Sequence, residues 1–198
     1  AADGYMTVNK RGGCFWDIQI TDQSLLLNIK KAIKSGHKIS RRDGRGNESD
    51  LYRLQVGSKE MYEDLYNLGM RPNKTKSLVI PNIPEYFLKD FVRGYFDGDG
   101  NVWLGQAHKE RKTSTLILLS HFTSGSLKFL QVLQDKLGYL GMKGCIYRSK
   151  KNYARLQYST RNSLKLYDFM YNGLGSSKLF LRRKKSVFER YIKNAAVV

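Results

Sequence analysis

The chain is written twice, and any fold for it must be two copies of one unit. Asp3-Gly4 recurs as Asp99-Gly100, Arg53-Leu54-Gln55 as Arg155-Leu156-Gln157, and Tyr66-Asn67 as Tyr171-Asn172. The order of the matches is kept while their spacing lengthens slowly, as small loop insertions in a duplicated unit would make it. Between the matches each copy reads the same way. In the first, residues 5–10 alternate as a half-buried strand, Arg11-Gly12-Gly13 is a turn, and residues 15–21 are a second strand with Ile18 and Ile20 inward and Asp17, Gln19 and Thr21 outward. Thr21 or Asp22 caps a helix through residue 34, with Leu25, Leu26, Ile29 and Ile33 at helical spacing. Short strands at 39–42 and 51–56 follow, then a helix over 59–68 capped by Ser58 and stopped by Gly69. A basic loop over 71–76 leads to a helix that Pro84 opens and Asp97 closes. The second copy repeats the order: strands at 101–104 and 115–122, a helix at 126–137, strands at 145–148 and 154–158, and helices at 162–171 and 184–192. The expected class is α+β, with repeats at residues 1–83 and 84–198. The register of the 115–122 strand stays ambiguous.

The stretch FVRGYFDGDGNV, residues 91–102, poses a physical problem. It is a helix ending in two acids, against its own dipole. Gly94 sits on an otherwise bulky helix, where glycine costs about 1 kcal/mol relative to alanine; close approach of a second helix would account for it. The chain opens on AADG, a clipped version of the same ending. If the two endings meet, Asp3 and Asp99 meet, and two facing carboxylates make sense around a divalent cation. Hard oxygen donors with few protein contacts suit Mg²⁺, which keeps waters and phosphate oxygens as its other ligands.

The charge points the same way. The chain of 198 residues carries a net charge of +18 with 41% hydrophobic residues, so a folded, strongly basic body is expected to meet a polyanion. DNA or RNA fits better than a membrane surface, because the basic residues run along the whole chain and no apolar run reaches membrane-spanning length. Cys14 and Cys145 lie far apart with no metal-ligand spacing, and read as small buried residues in an intracellular, reducing compartment.

VRGYFDGDG at residues 92–100 resembles the nine-residue LAGLIDADG signature without gaps, and AADG at 1–4 resembles the end of another copy. The chain as a whole resembles a single-chain, two-motif LAGLIDADG homing endonuclease. That resemblance implies two pseudo-symmetric αββαββα repeats forming a saddle of two antiparallel four-stranded sheets that straddle double-stranded DNA in the major groove, as a monomer. It implies Mg²⁺-dependent hydrolysis of both strands at a long site with 3′ overhangs, Mn²⁺ as a substitute, and Ca²⁺ as an ion that binds without supporting cleavage. The eighth motif position, the metal-binding acid, falls on Asp99 and Asp3; the sixth falls on Asp97 and, in the first copy, on Ala1. The first motif's helical part would precede Ala1. Lysines around the scissile phosphates are placed by position at Lys76, beside Lys74, and at Lys178.

Strand alternation supplies the groove-facing set. Arg53 and Gln55 point outward with Arg155 and Gln157, and Arg and Gln pair with guanine and adenine edges. Tyr5, Thr7, Asn9, Gln19, Asn101 and Trp103 join them. Arg41, Arg42, Arg148 and Lys150, with Arg45 and Lys151, sit at strand ends or loops as contacts to flanking phosphates. Two other functions suit the same fold: a maturase that binds intron RNA, and a non-catalytic, sequence-specific DNA-binding protein. An intein-embedded domain would explain a chain beginning mid-motif.

Overall fold

The structure, a computed structural model, describes residues 3–72, 77–107, 115–174 and 177–195. The first repeat runs β1 (Gly4–Val8), β2 (Cys14–Ile20), α1 (Gln23–Ala32), β3 (Ile39–Arg42), β4 (Leu51–Gly57) and α2 (Lys59–Asn67). The second opens with α3 (Leu88–Asp99) and continues β5 (Gly100–Ala107), β6 (Thr115–Ser124), α4 (Leu127–Tyr139), β7 (Cys145–Arg148), β8 (Ala154–Tyr158), α5 (Thr160–Tyr171) and α6 (Arg182–Ala195). Each repeat forms one antiparallel four-stranded sheet, ordered β1-β2-β4-β3 and β5-β6-β8-β7. The fold is therefore α+β and built of two like halves.

Local chemistry sets the element ends. Asp22 takes the cap of α1, its Oδ1 accepting from the Leu25 amide at 2.8 Å, while the Ser58 and Ser126 hydroxyls cap α2 and α4 from Met61 and Phe129 at 3.1 and 3.2 Å. The first hairpin is shorter than alternation predicts. Asn9 leaves the strand because its Oδ1 accepts from the Arg11 and Gly13 amides at 3.0 and 2.8 Å, and Gly12 takes φ 80° to close the turn. Pro84 stays extended at ψ 143°, so a single 3₁₀ turn, Glu85–Phe87, precedes α3, which runs on to Asp99 rather than stopping at Asp97. The ambiguous strand settles as β6, with Leu118, Ser120, Phe122 and Ser124 inward and Leu119, His121 and Thr123 on the open face, where they are only half-buried. The cysteines differ from expectation: Cys145 is exposed on edge strand β7 and Cys14 is half-buried, because both begin strands at the sheet margins.

Helices cover one face of each sheet and leave the other open. The two cores are unequal. In the second repeat Tyr95 and Phe96 of α3 pack on Phe122, Phe129 and Phe188 from a strand and two further helices, within a large cluster that also takes in Leu78. The first core is Leu26, Leu54 and Val56, ringed by half-buried Trp16, Ile18 and Ile20. Each fully buried aromatic contributes several kcal/mol of burial, so stability concentrates in the second repeat. Backbone amides of β6 and β8 should stay protected from hydrogen exchange longer than those of β2 and β4. Phe129→Ala, which deletes a ring 4.5 Å from Tyr95, should cost about 3–5 kcal/mol in urea unfolding.

Candidate active site

The motif helix α3 ends in Asp97-Gly98-Asp99-Gly100 at the seam between the two sheets, and β1 starts directly after Asp3. The last carbonyls of a helix carry partial negative charge, and acids placed there repel it. The structure meets this with Lys184 of α6. Its buried Nζ donates to the carbonyls of Phe96 at 2.7 Å, Asp97 at 2.6 Å and Gly100 at 2.6 Å, with Gly98 at 3.4 Å. Burial, then the neighbouring Arg183 charge, brings the Lys184 amine down to about 8, while Asp97, Asp3 and Asp99 pull it back up. One buried amine thus feels both eighth-position motif acids, one from each repeat. Asp3 and Asp99 are themselves exposed.

Asp97 behaves differently. It is 6% exposed, its Oδ2 accepts from the Leu181 amide at 3.0 Å, and its Oδ1 has no hydrogen-bond partner among the described residues. Burial raises its carboxyl to about 6, against the lowering pull of the Leu181 amide and the Lys184, Arg93 and Arg183 charges. Gly100 is held to glycine by space: a Cβ there would stand 2.4 Å from Phe96 Cδ2 and 2.5 Å from the Phe96 carbonyl oxygen. Gly94, by contrast, meets nothing within 4 Å. It opens, with Arg93 and Asp97, onto a groove of about 650 Å³ whose other wall is Trp16, Ile18, Leu25 and Ile29 of the first repeat.

Lys184 is the lysine that position alone does not pick out. Lys76 and Lys74 lie outside the described residues. Lys178 is exposed, and it is its backbone carbonyl, at 3.3 Å from Asn28 Nδ2, that makes a contact. A signal for Lys184 does exist: Leu181, Lys184 and Phe188 share one helical stripe, and a lysine inside an apolar stripe is a buried lysine.

On the open face of the first sheet, Tyr5 accepts from Gln19 Nε2 at 3.0 Å. Between them lies Asp17, fully buried under longer side chains. Its Oδ2 accepts from Arg53 through Nε at 2.7 Å and Nη2, and from Gln55 Nε2 at 3.1 Å; the hydrogen bond to Asp17 raises the Arg53 guanidinium further. Thr7 shares this face; Asn9 belongs to the turn. Arg41 is paired at 2.9 Å to both Asp43 and Asp50, and Arg42 is exposed. On the second sheet Asn101, Trp103 and Arg155 are exposed, Gln157 and His121 are half-buried, and Arg148 and Lys150 stand at the β7 tip. Burial, then the Arg155 and Lys184 charges, lower the His121 imidazole.

The described residues contain no group of three or more His, Cys, Asp or Glu able to hold a metal, so a metal here must complete its shell from water or substrate. The donor types fit a hard cation: Asp3 lines one groove with Asp97 and Gly98, next to the Asp99 carboxylate at the end of α3. No helix of the described residues is long and apolar enough to cross a membrane.

Residues 87–171 match the family model of the LAGLIDADG-like domain. The fold is that of LAGLIDADG meganucleases. I-SmaMI bound to uncleaveable DNA aligns with TM-score 0.64 at 14% identity over 99% of this chain and 86% of that one. I-LtrWI bound to target DNA gives 0.62 and 14% over 99% and 87%, and I-AabMI bound to uncleaved DNA gives 0.60 and 17% over 99% and 87%. A 98-residue stretch is 37% identical to part of the probable translation initiation factor IF-2 of Thermococcus kodakarensis; it covers 48% of this chain and 7% of that protein's length.

Asp97 makes stability depend on pH in a stated direction. Its carboxyl releases its proton near pH 6 when folded and near 3.9 when unfolded. Between those values the folded state holds more protons, so this group's contribution falls as pH rises through the window. Asp97→Asn should remove that fall: its urea midpoint relative to wild type should climb from pH 4 to pH 6 and then level.

Proposed function

We propose that this chain, with its LAGLIDADG-like second repeat and meganuclease fold, is a site-specific endonuclease that cuts both strands of a long double-stranded DNA site and leaves 3′ overhangs. The observation that carries this reading is that Asp3, at the start of the first repeat, lines one groove with Asp97 and Gly98, which lead directly into Asp99 at the end of the motif helix of the second. A net charge of +18 suits a DNA backbone, and the open faces of both sheets carry Arg-Gln pairs suited to base edges. The fold relatives' crystals contain DNA, which supports the same ligand here.

Asp3 and Asp99 would hold the divalent metal, Mg²⁺ with Mn²⁺ as a substitute, which supplies activated water and stabilises the leaving oxygen. Lys184 fixes the turn that carries Asp99, since its amine draws the Phe96, Asp97 and Gly100 carbonyls to one point. It also adds positive charge where phosphate charge accumulates. Arg53, Gln55, Arg155 and Gln157 read the groove, and Arg148 and Lys150 meet flanking phosphates. The match to a stretch inside a much longer translation factor favours an intein-embedded origin over an intron-encoded one.

The test is a cleavage assay on a randomised double-stranded DNA library, with Mg²⁺ and separately with Ca²⁺, followed by sequencing of the ends. Cuts at one long site in Mg²⁺ alone support the reading; no selective binding in either ion would move it to the intron-RNA maturase. Asp99→Asn should abolish double-strand cleavage and leave gel-shift affinity within about threefold, because Asp99 ends the motif helix and is not among the strand residues proposed to read the groove. Loss of binding together with cutting would remove Asp99 from the metal site.

A further inference from the structure

The two sheets are superposable in register but not in chemistry at their centres. Asp17 lies opposite Tyr5 on one side and Gln55 on the other; His121 lies opposite Asn101 and Gln157 in the same way. Gln19 faces Arg53 where Thr123 faces Arg155. The flanking Arg and Gln are thus the same residues in both repeats, and the residue between them is an acid in one and a histidine in the other.

An acid is an odd choice at the centre of a face proposed to lie against a polyanion. Asp17 is fully buried, and a buried carboxylate is costly unless it is paired and hydrogen-bonded. Its Oδ1 has no partner among the described residues, so the carboxylate bears part of that cost uncompensated. What it does make is directional: Arg53 uses two of its five donors on Asp17, and Gln55 uses one. The Arg53 side chain stays 40% exposed, so the rest of its fork faces outward. Across the seam Arg155 has no carboxylate partner among the described residues; it lies over the Tyr153 ring at 5.4 Å, with Nη2 3.4 Å from the phenol oxygen. Arg155 must lose rotamer freedom on binding, whereas Arg53 has lost it already.

We propose that Asp17 is a positioning residue for base readout, holding Arg53 and Gln55 in one arrangement so that the first repeat reads its half of the DNA site more strictly than the second. This rests on the DNA-endonuclease reading. Asp17 acts through Arg53 and Gln55; the discriminating contacts are theirs.

The experiment profiles base preference by binding selection from a randomised double-stranded DNA library, with the full-length wild type, Asp17→Asn and Arg53→Lys. Asp17→Asn should lower discrimination about tenfold at base pairs of one half-site, the scale of a lost bidentate contact. The other half-site should keep its profile, and binding to non-specific competitor DNA should strengthen, since a negative charge has gone and Arg53 is released. Arg53→Lys keeps the charge, loses the fork, and should relax the same base pairs. Adding Asp17→Asn to a variant that already carries Arg53→Ala and Gln55→Ala should relax them no further, since both side chains that Asp17 holds are then gone. A general loosening of the fold would instead blur both half-sites, and that outcome overturns the proposal. An unchanged profile for either Asp17→Asn or Arg53→Lys overturns it too. A wild type with no base preference in either half-site overturns the functional reading, and this proposal with it.

Discussion

The candidate site depends on one amine in the wrong place for a lysine. Lys184 is 6% exposed, among residues that would otherwise form an apolar stripe of α6. It stays charged near neutrality because the carbonyls at the end of α3 and three carboxylates offset its burial. In return it resolves the conflict built into the motif. A helix that ends in acids needs a cation at its C-terminus, and an exposed one would be screened by solvent and salt. Supplying it from a helix anchored by Phe188 makes the motif turn part of the second core. Asp99 then ends a helix packed into the larger of the two cores, which suits the metal-ligand role proposed for it.

Asp3 is placed differently. Its repeat has a core of Leu26, Leu54 and Val56, and Trp16, Ile18, Leu25 and Ile29 face the groove along α3 instead of filling it. Asp3 directly precedes β1, which pairs with β2 in continuous register from Gly4↔Ile18 to Val8↔Cys14. The two acids of the candidate site thus come from different settings, a helix end on one side and a strand start on the other.

Most of the fold was legible because repetition constrains it. Matched Arg-Leu-Gln segments placed β4 and β8, turn glycines and capping serines bounded the helices, and alternation put Arg53, Gln55, Arg155 and Gln157 on the open faces. What stayed hidden was three-dimensional. Asn9 reads as a strand residue until its carboxamide is seen to close the turn. Asp17 reads as an outward polar residue, which it is; nothing local says that Arg53 and Gln55 fold over it until it is fully buried. Lys184 sits in a run of four basic residues, where three solvated neighbours disguise the buried one. Position in the repeat favoured Lys178, but at 3.3 Å from Asn28 that residue's contact is made by its backbone.

Asp17 and His121 show what duplication leaves free to change. The register of both sheets and the Arg and Gln beside each centre are kept, so geometry is shared between the halves. The central residue is not, and on the proposed function it would decide whether the neighbouring guanidinium is held before DNA arrives or only afterwards. A carboxylate is attractive to an arginine and repulsive to a phosphate, so on that reading one side chain would change both the precision of the first half and its non-specific pull. At His121 burial, then the neighbouring Arg155 and Lys184 charges, disfavour the charged imidazole. On the proposed reading, a symmetric scaffold becomes a reader of an asymmetric site through a substitution at its sheet centre, without any change in backbone.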